Sequence, residues 1–202
     1  GFKIIENKIE KLIQKFILFK DEFLISNGGK FLNGENIKIY CARGGMRSQS
    51  MFWLLEKFNY PCLTLNGGYK TYRNWVLNSF EDKQKIIVIG GKTGTGKTKI
   101  LNELKSLEYQ IIDFESLANH RGSSFGGLGM KEQPTNEQYE NLISEDLDKF
   151  DKLNFIFVEA ESANIGKNRI PHELYNQMKN SKRIEILRDE RIRIDELVNT
   201  YS

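Results

Sequence analysis

The chain has 202 residues, 39% of them hydrophobic and 28% charged, with a formal net charge of +3. That is a globular balance with room for one large or two small domains, and no stretch approaches the ~20 apolar residues of a membrane helix. The mild positive charge neither demands nor excludes nucleic acid, and the first residues, Gly1-Phe2-Lys3-Ile4, do not read as a signal peptide. Two cysteines, Cys41 and Cys62, are too few for a disulfide framework and lack zinc-ligand spacing, which predicts free thiols and a cytoplasmic setting. His120 and His172 likewise have no neighbour at metal-ligand spacing.

In chain order, apolar residues at Ile5, Ile9, Leu12, Ile13, Phe16 and Phe19 predict an amphipathic helix over 4–19, and Asn27-Gly28-Gly29 and Asn33-Gly34 predict turns. Ile37-Lys38-Ile39-Tyr40 reads as a strand running into Cys41-Ala42-Arg43-Gly44-Gly45-Met46-Arg47-Ser48. A cysteine at a strand end, a glycine-bearing loop and arginines before a helix make an anion cradle. The helix shows as Met51, Phe52, Leu54, Leu55 and Phe58, and it stops at Asn59-Tyr60-Pro61. Loop amides and the helix N-terminus are expected to lower the thiol pKa and make Cys41 a nucleophile. The ring of spacing Cys41-x5-Arg47 occurs in cysteine phosphatases and in rhodanese-like sulfurtransferases; Tyr40, where phosphatases usually carry His, favours the sulfur-type chemistry. Cys62, ahead of a short apolar run, reads as inert. Leu63-Thr64-Leu65 is expected as a strand, and Asn66-Gly67-Gly68-Tyr69-Lys70 as a turn into a helix bearing Tyr72, Arg73, Trp75 and Val76.

The polar run 79–85 marks the expected boundary between domains at 1–80 and 85–202. Ile86-Ile87-Val88-Ile89 is a buried-strand signal, and Gly91-Lys92-Thr93-Gly94-Thr95-Gly96-Lys97-Thr98 satisfies the phosphate-loop pattern G-x-x-x-x-G-K-[S/T]. A helix follows, with Ile100, Leu101 and Leu104 on one face. Backbone N–H groups at a helix N-terminus point at an anion there, Lys97 reaches a terminal phosphate, and Thr98 holds a phosphate oxygen or Mg²⁺. Tyr109-Gln110-Ile111-Ile112 reads as a strand ending at Asp113. The aperiodic stretch 113–127 reads as an active-site loop. Thr135-x-x-Gln138 is a capping box before a helix with Tyr139, Leu142, Ile143, Leu147 and Phe150. Residues 154–159 form a strand with Glu159 at a Walker-B-like end, where Glu159 and Glu161 could bind Mg²⁺ or act as a base, or simply be solvated. Pro171 opens a helix through Met178, 183–187 is a strand, and 189–201 a last helix. The alternation from 86 onward predicts an α/β fold with a mostly parallel sheet and ligands at its carboxyl edge.

With these residues in view, the chain resembles the tRNA 2-selenouridine synthase family, a rhodanese-like domain fused to a P-loop domain. The resemblance rests on Tyr40 to Ser48, Asn66 to Arg73, Gly90 to Thr98, Leu117 to Gly126, Val158 to Ser162 and Ile165-Gly166. It implies conversion of 2-thiouridine to 2-selenouridine at the tRNA wobble position with selenophosphate, through an S-geranylated intermediate made from geranyl diphosphate. By position, Cys41 is the selenium-carrying nucleophile, with Arg43, Gly44, Gly45 and Arg47 around the selenophosphate anion. Gly91, Thr93, Gly94, Thr95, Gly96, Lys97 and Thr98 then hold the prenyl diphosphate, which implies no requirement for ATP and leaves Mg²⁺ open. Asp113, His120, Arg121, Ser123, Ser124 and Glu159 are candidate substrate or tRNA contacts, and 69–73 could meet an unstacked anticodon base or form a packed helix face. The resemblance also places residue 1 inside the rhodanese-like domain, so residues 1–80 are expected to be its C-terminal portion. That describes a trimmed chain or a split gene product whose missing half is a possible partner. Two other readings compete: a P-loop kinase or NTPase with a regulatory cysteine domain, and a tRNA-binding partner subunit without activity of its own.

Overall fold

The computed structural model describes residues 37–57, 59–123 and 126–201. The helix expected over 4–19, the turns at 27–29 and 33–34, and Phe58, Ser124 and Phe125 lie outside the described residues. The chain divides into two compact units between Tyr72 and Arg73.

The first unit is a βαβ crossover. Strand β1 (Ile37–Ile39) leads through helix α1 (Met46–Lys57) to strand β2 (Cys62–Thr64), which pairs parallel to β1 with Ile37 opposite Cys62. Parallel neighbours need such a crossover, and the helix supplies it. Helix α1 buries Ser48, Leu54 and Leu55, whereas Met51, expected on the same face, is exposed. It ends where Asn59 turns left-handed at φ 58° and the Tyr60 amide donates to the Leu55 carbonyl at 3.1 Å, with Pro61 barring continuation. Helix α2 (Gly68–Ser79) follows; the division between units falls within it.

The second unit is built on a four-stranded parallel sheet. Its strands are β3 (Ile86–Gly90), β4 (Gln110–Ile112), β5 (Ile156–Glu159) and β8 (Lys182–Glu185), in the order β4-β5-β3-β8. The apolar runs are buried as the sequence requires of central parallel strands: Ile86, Val88 and Ile89 in β3, Ile156 and Val158 in β5. Helix α3 (Lys97–Ser106) lays Leu101 against Ile89 and Ile111. Burying one such side chain contributes ~1.5–3 kcal/mol, so Leu101→Ala is the single change that would most directly loosen this helix from the sheet. Helix α4 (Phe114–Ala118) buries Phe114 and Ala118, and helix α5 (Asn136–Lys149) buries Tyr139, Ile143 and Leu147. The Thr135 hydroxyl accepts from the Gln138 amide at 3.2 Å, as the capping box predicts. Arg73 donates to the Asn141 carbonyl oxygen at 2.9 Å and pairs with Glu140, so this basic residue serves packing within the unit. The unit continues with the hairpin β6 (Asn164–Ile165) and β7 (Asn168–Arg169), helix α6 (His172–Lys179) and, after β8, helix α7 (Glu190–Tyr201).

Two expectations change. Residues 113–127 are not one continuous loop, because 114–118 form α4. One helical turn is too short to show a period, and the signal was Asp113, whose carboxylate accepts from the Ser116 amide at 2.9 Å as a helix cap. The antiparallel hairpin β6–β7 was also not expected; its strands are two residues each, and its turn uses Gly166 at φ 58°. No helix among the described residues is long and apolar enough to cross a membrane.

Candidate functional site

Two loops built on the same plan carry the reactive groups. In the first unit, Cys41 follows β1 and its sulfur sits over the start of α1. The Gly45 amide donates to Sγ at 3.2 Å, and the Ser48 hydroxyl lies 3.3 Å from Sγ. Ser48 is buried in the first turn of α1 and also reaches the Gly45 carbonyl at 3.0 Å. When Cys41 is deprotonated, that single hydroxyl proton can turn to the sulfur. These donors, Ser48 first and then the Arg43, Gly45 and Ser48 backbone, bring the Cys41 thiol down from 9.0 to about 6. Cys41 is therefore largely thiolate at neutral pH.

The loop is held by the start of α2. The Tyr69 amide donates to the Cys41 carbonyl at 2.9 Å and the Lys70 amide to the Ala42 carbonyl at 3.0 Å. Gly68 fits only without a side chain, because at φ 65° a Cβ would collide with the Cys41 carbonyl and the Gly44 amide. Arg43 and Arg47 are exposed, and no hydrogen bond or ion pair engages their side chains among the described residues. Cys62, also a free and half-buried thiol, differs in its surroundings. It is pushed up by desolvation and by Glu56, as expected of an inert cysteine.

In the second unit, the phosphate loop joins β3 to α3 and opens on a cleft of about 610 Å³. Gly91, Thr93, Gly94, Gly96, Lys97 and Thr98 line it together with Arg121, Ser123, Glu159, Glu161 and several residues that sequence reasoning did not single out in this role, among them Lys92, Glu115 and Ser162. Lys97 Nζ lies 3.3 Å from one oxygen of Glu159, and the Thr98 hydroxyl donates to the other at 3.1 Å. Glu159 is thus a buried strand-end acid engaged with both defining side chains of the loop, rather than a solvated one. Thr95 has a different duty: buried, it donates to the Lys92 carbonyl at 2.7 Å and braces the loop from within.

Three carboxylates converge in the cleft. Glu115, Glu159 and Glu161 each bring an oxygen within 4.8 Å of the others. Burial, then the neighbouring Glu159 and Glu161, raise Glu115 from 4.5 to about 8; burial and Glu159 raise Glu161 to about 7. Such hard oxygen donors beside a phosphate loop suit Mg²⁺, which would relieve their mutual repulsion and neutralise phosphate charge. Glu115 was hidden from sequence reasoning because its placement depends on α4, the turn that Asp113 caps.

The run Ala118 to Gly127 has a structural logic. Asn119 ends α4 in the left-handed region at φ 50°, a conformation Asn tolerates. The His120 ring then packs where Gly126 and Gly166 leave room, and its Nδ1 accepts from the Gly122 amide at 3.2 Å. The Arg121 amide closes the loop on the Gly126 carbonyl at 3.0 Å. His120 and Asp113 therefore shape the loop without lining the cleft, whereas Arg121 and Ser123 line it. Gly122 sits where a Cβ would meet Glu115 Oε1 at 2.6 Å and Glu161 Oε2 at 2.8 Å. Of the expected contacts, only Ser124 lies outside the described residues.

Comparison with known proteins gives this arrangement a context. The family model described as the tRNA 2-selenouridine synthase AAA domain matches residues 84–202. The tRNA 2-selenouridine synthase of Nitrosomonas eutropha is 35% identical over 170 residues, 81% of this chain and 43% of that protein. That of a Sulfurovum species is 39% identical over 168 residues, 75% of this chain and 44% of that protein. That of Psychromonas ingrahamii is 29% identical over 204 residues, an alignment that takes in 100% of this chain and 52% of that protein. The chain thus spans about half the length of the curated relatives it matches. No solved structure matches it. With a parallel sheet, a phosphate loop on its carboxyl edge and a family match over more than half its length, the chain belongs to the tRNA 2-selenouridine synthase family.

Proposed function

We propose that this chain converts 2-thiouridine at the wobble position of tRNA to 2-selenouridine in two stages, one on each loop. The observation that carries the reading is the pairing, in one member of this family, of a phosphate cradle with a separate cysteine held as a thiolate. In the first stage the phosphate loop holds the diphosphate of geranyl diphosphate. The thiouridine sulfur attacks the first carbon of the geranyl chain, the carbon–oxygen bond breaks, pyrophosphate leaves, and the ring nitrogen gives up its proton. Charge builds on the departing pyrophosphate, where Lys97 and loop amides of 91–98 would stabilise it. Lys97 must exchange Glu159 for phosphate, so the buried ion pair keeps the lysine extended and oriented before the ligand arrives. Arg121 and Ser123 complete the cleft wall. If Mg²⁺ takes part, Glu115, Glu159 and Glu161 hold it and it supplies further neutralisation of the diphosphate.

In the second stage the exposed Arg43 and Arg47 with the amides of Gly44 and Gly45 receive selenophosphate. The Cys41 thiolate attacks C2 of the geranylated uridine, the bond from C2 to the geranyl sulfur breaks, and geranyl thiol leaves with a proton from solvent. The selenium of selenophosphate then displaces Cys41 from C2, and water cleaves the selenium–phosphorus bond, releasing phosphate and leaving 2-selenouridine. Residues 1–80 act in this reading as the C-terminal portion of a rhodanese-like domain, with the P-loop domain at 85–202.

Nucleoside mass spectrometry tests it. The chain is incubated with 2-thiouridine-containing tRNA and geranyl diphosphate, with and without selenophosphate. A geranyl adduct that becomes selenouridine on adding selenophosphate is the expected result. No adduct from folded protein, with ATP consumed instead, would favour a phosphoryl-transfer enzyme.

A further inference from the structure

Beside the cysteine loop, three tyrosines form a ladder. Tyr40 immediately precedes Cys41 and is 62% exposed. Its ring centroid lies 6.3 Å from that of Tyr69 with 32° between planes, and Tyr69 lies 5.8 Å from Tyr72 at 38°. Tyr69 and Tyr72 are three residues apart on α2, one helical turn, so the helix itself sets their spacing. The middle rung is fastened to the reactive residue, because its amide is the one that donates to the Cys41 carbonyl at 2.9 Å. Core packing accounts for Tyr69 and Tyr72, which are half-buried, but not for Tyr40, whose ring stays in solvent at the end of β1.

Among the described residues of this unit, basic side chains predominate. Over residues 37–72 the sequence carries Lys38, Arg43, Arg47, Lys57 and Lys70 against a single acid, Glu56. Arg43, Arg47 and Lys70 are exposed. A run of aromatic faces edged by cations matches a single-stranded nucleic acid, whose bases stack on the rings while its phosphates meet the cations. An anion binder alone needs no exposed ring, and an apolar partner needs no excess of cations.

We propose that Tyr40, as the outer rung of the Tyr40–Tyr69–Tyr72 ladder, stacks an unpaired base of the RNA substrate next to the Cys41 sulfur. The inference rests on the RNA-modifying reading above and assigns within it the residue that positions the base. Tyr40 acts by stacking, so ring area matters and its hydroxyl does not.

The test is binding of the full chain to an anticodon stem-loop carrying 2-aminopurine at the wobble position, followed by anisotropy and by quenching of the aminopurine. Wild type and Tyr40→Phe are expected to bind alike and to quench the reporter. Tyr40→Ala is expected to bind about tenfold more weakly, the usual effect of losing one stacking ring, and to leave the reporter bright. An unchanged rate of Cys41 alkylation in Tyr40→Ala shows that the loop has kept its fold. Wild-type binding and quenching that persist undiminished in Tyr40→Ala would overturn the ladder assignment alone. Failure of the wild type to bind the stem-loop would overturn the RNA reading and this assignment with it.

Discussion

The cysteine loop and the phosphate loop use one backbone device for opposite electrostatic ends. Each runs from a parallel strand through glycines to a helix N-terminus, which concentrates N–H donors on one point. In the first, the donors solvate a charge that belongs to the protein: the Gly45 amide and Ser48 settle on Cys41 Sγ, and the exposed Arg43 and Arg47 belong to the same loop. In the second, the protein's carboxyl groups stand opposite the loop, with Glu159 on Lys97 and Thr98 and with Glu115 and Glu161, both raised toward neutral pH, close by. Over 37–72 basic residues outnumber acidic ones five to one, whereas 73–202 carries 19 basic and 21 acidic residues. The same strand-loop-helix geometry therefore holds a lowered thiol in one place and faces a cluster of carboxyl groups in the other. Side chains, not the fold, decide which.

The largest effect expected from breaking this contrast is at Lys97. Lys97→Ala should lower geranyl transfer by about 10²–10³, the range for removing one preorganised donor to a developing oxyanion. It should leave the Cys41 titration in place, which alkylation against pH reads directly. Loss of the low Cys41 midpoint in that variant would mean that the two loops are not independent.

Ser48→Ala sharpens the other side. Ser48 contributes most to the lowered thiol, so its loss should move the alkylation midpoint from about 6 upward toward 9.0. The rate at pH 7 should fall about tenfold as the thiolate fraction drops. A midpoint that stays put would assign the effect to the loop amides alone.

A smaller effect belongs to the carboxylates. Glu115 holds its proton to about pH 8 in the folded chain but, with an ordinary value of 4.5, loses it much earlier when unfolded. Over that interval the unfolded state binds fewer protons, so stability falls as pH rises through it. Glu115→Gln should flatten this fall and lift the Tm at pH 8 by about 2–4 °C, the shift that ~1 kcal/mol produces in a chain of this size. Mg²⁺ should stabilise the wild type more than the variant at that pH. An unchanged Tm profile in Glu115→Gln would place the carboxylate in water rather than in the cluster.

How much of this was legible in the sequence depended on how local each signal is. Ile86 to Thr98 declares a strand, a phosphate loop and a helix in thirteen residues, and the structure follows it. The Thr135 cap, the β1–Cys41–α1 loop and the strand ending at Glu159 were readable for the same reason. What was missed depends on contacts far apart in the chain. Glu115 enters the site only because α4 exists and β5 brings Glu159 and Glu161 to it. The sequence offered His120 as a candidate contact but gave no sign that its ring packs beside Gly126 and Gly166, the latter forty-six positions away. The Tyr40–Tyr69 contact joins a strand end to a helix start across a βαβ crossover. No pattern of spacing announces such neighbours.

The most direct test of the central claim sets Cys41→Ser beside Lys97→Ala in the tRNA assay and counts geranylated and selenated nucleosides separately. Two distinct loops predict that Cys41→Ser accumulates the geranyl adduct without selenouridine, while Lys97→Ala makes little of the adduct at all. Equal loss of both products in each variant, with folding intact, would contradict the division of labour between the loops.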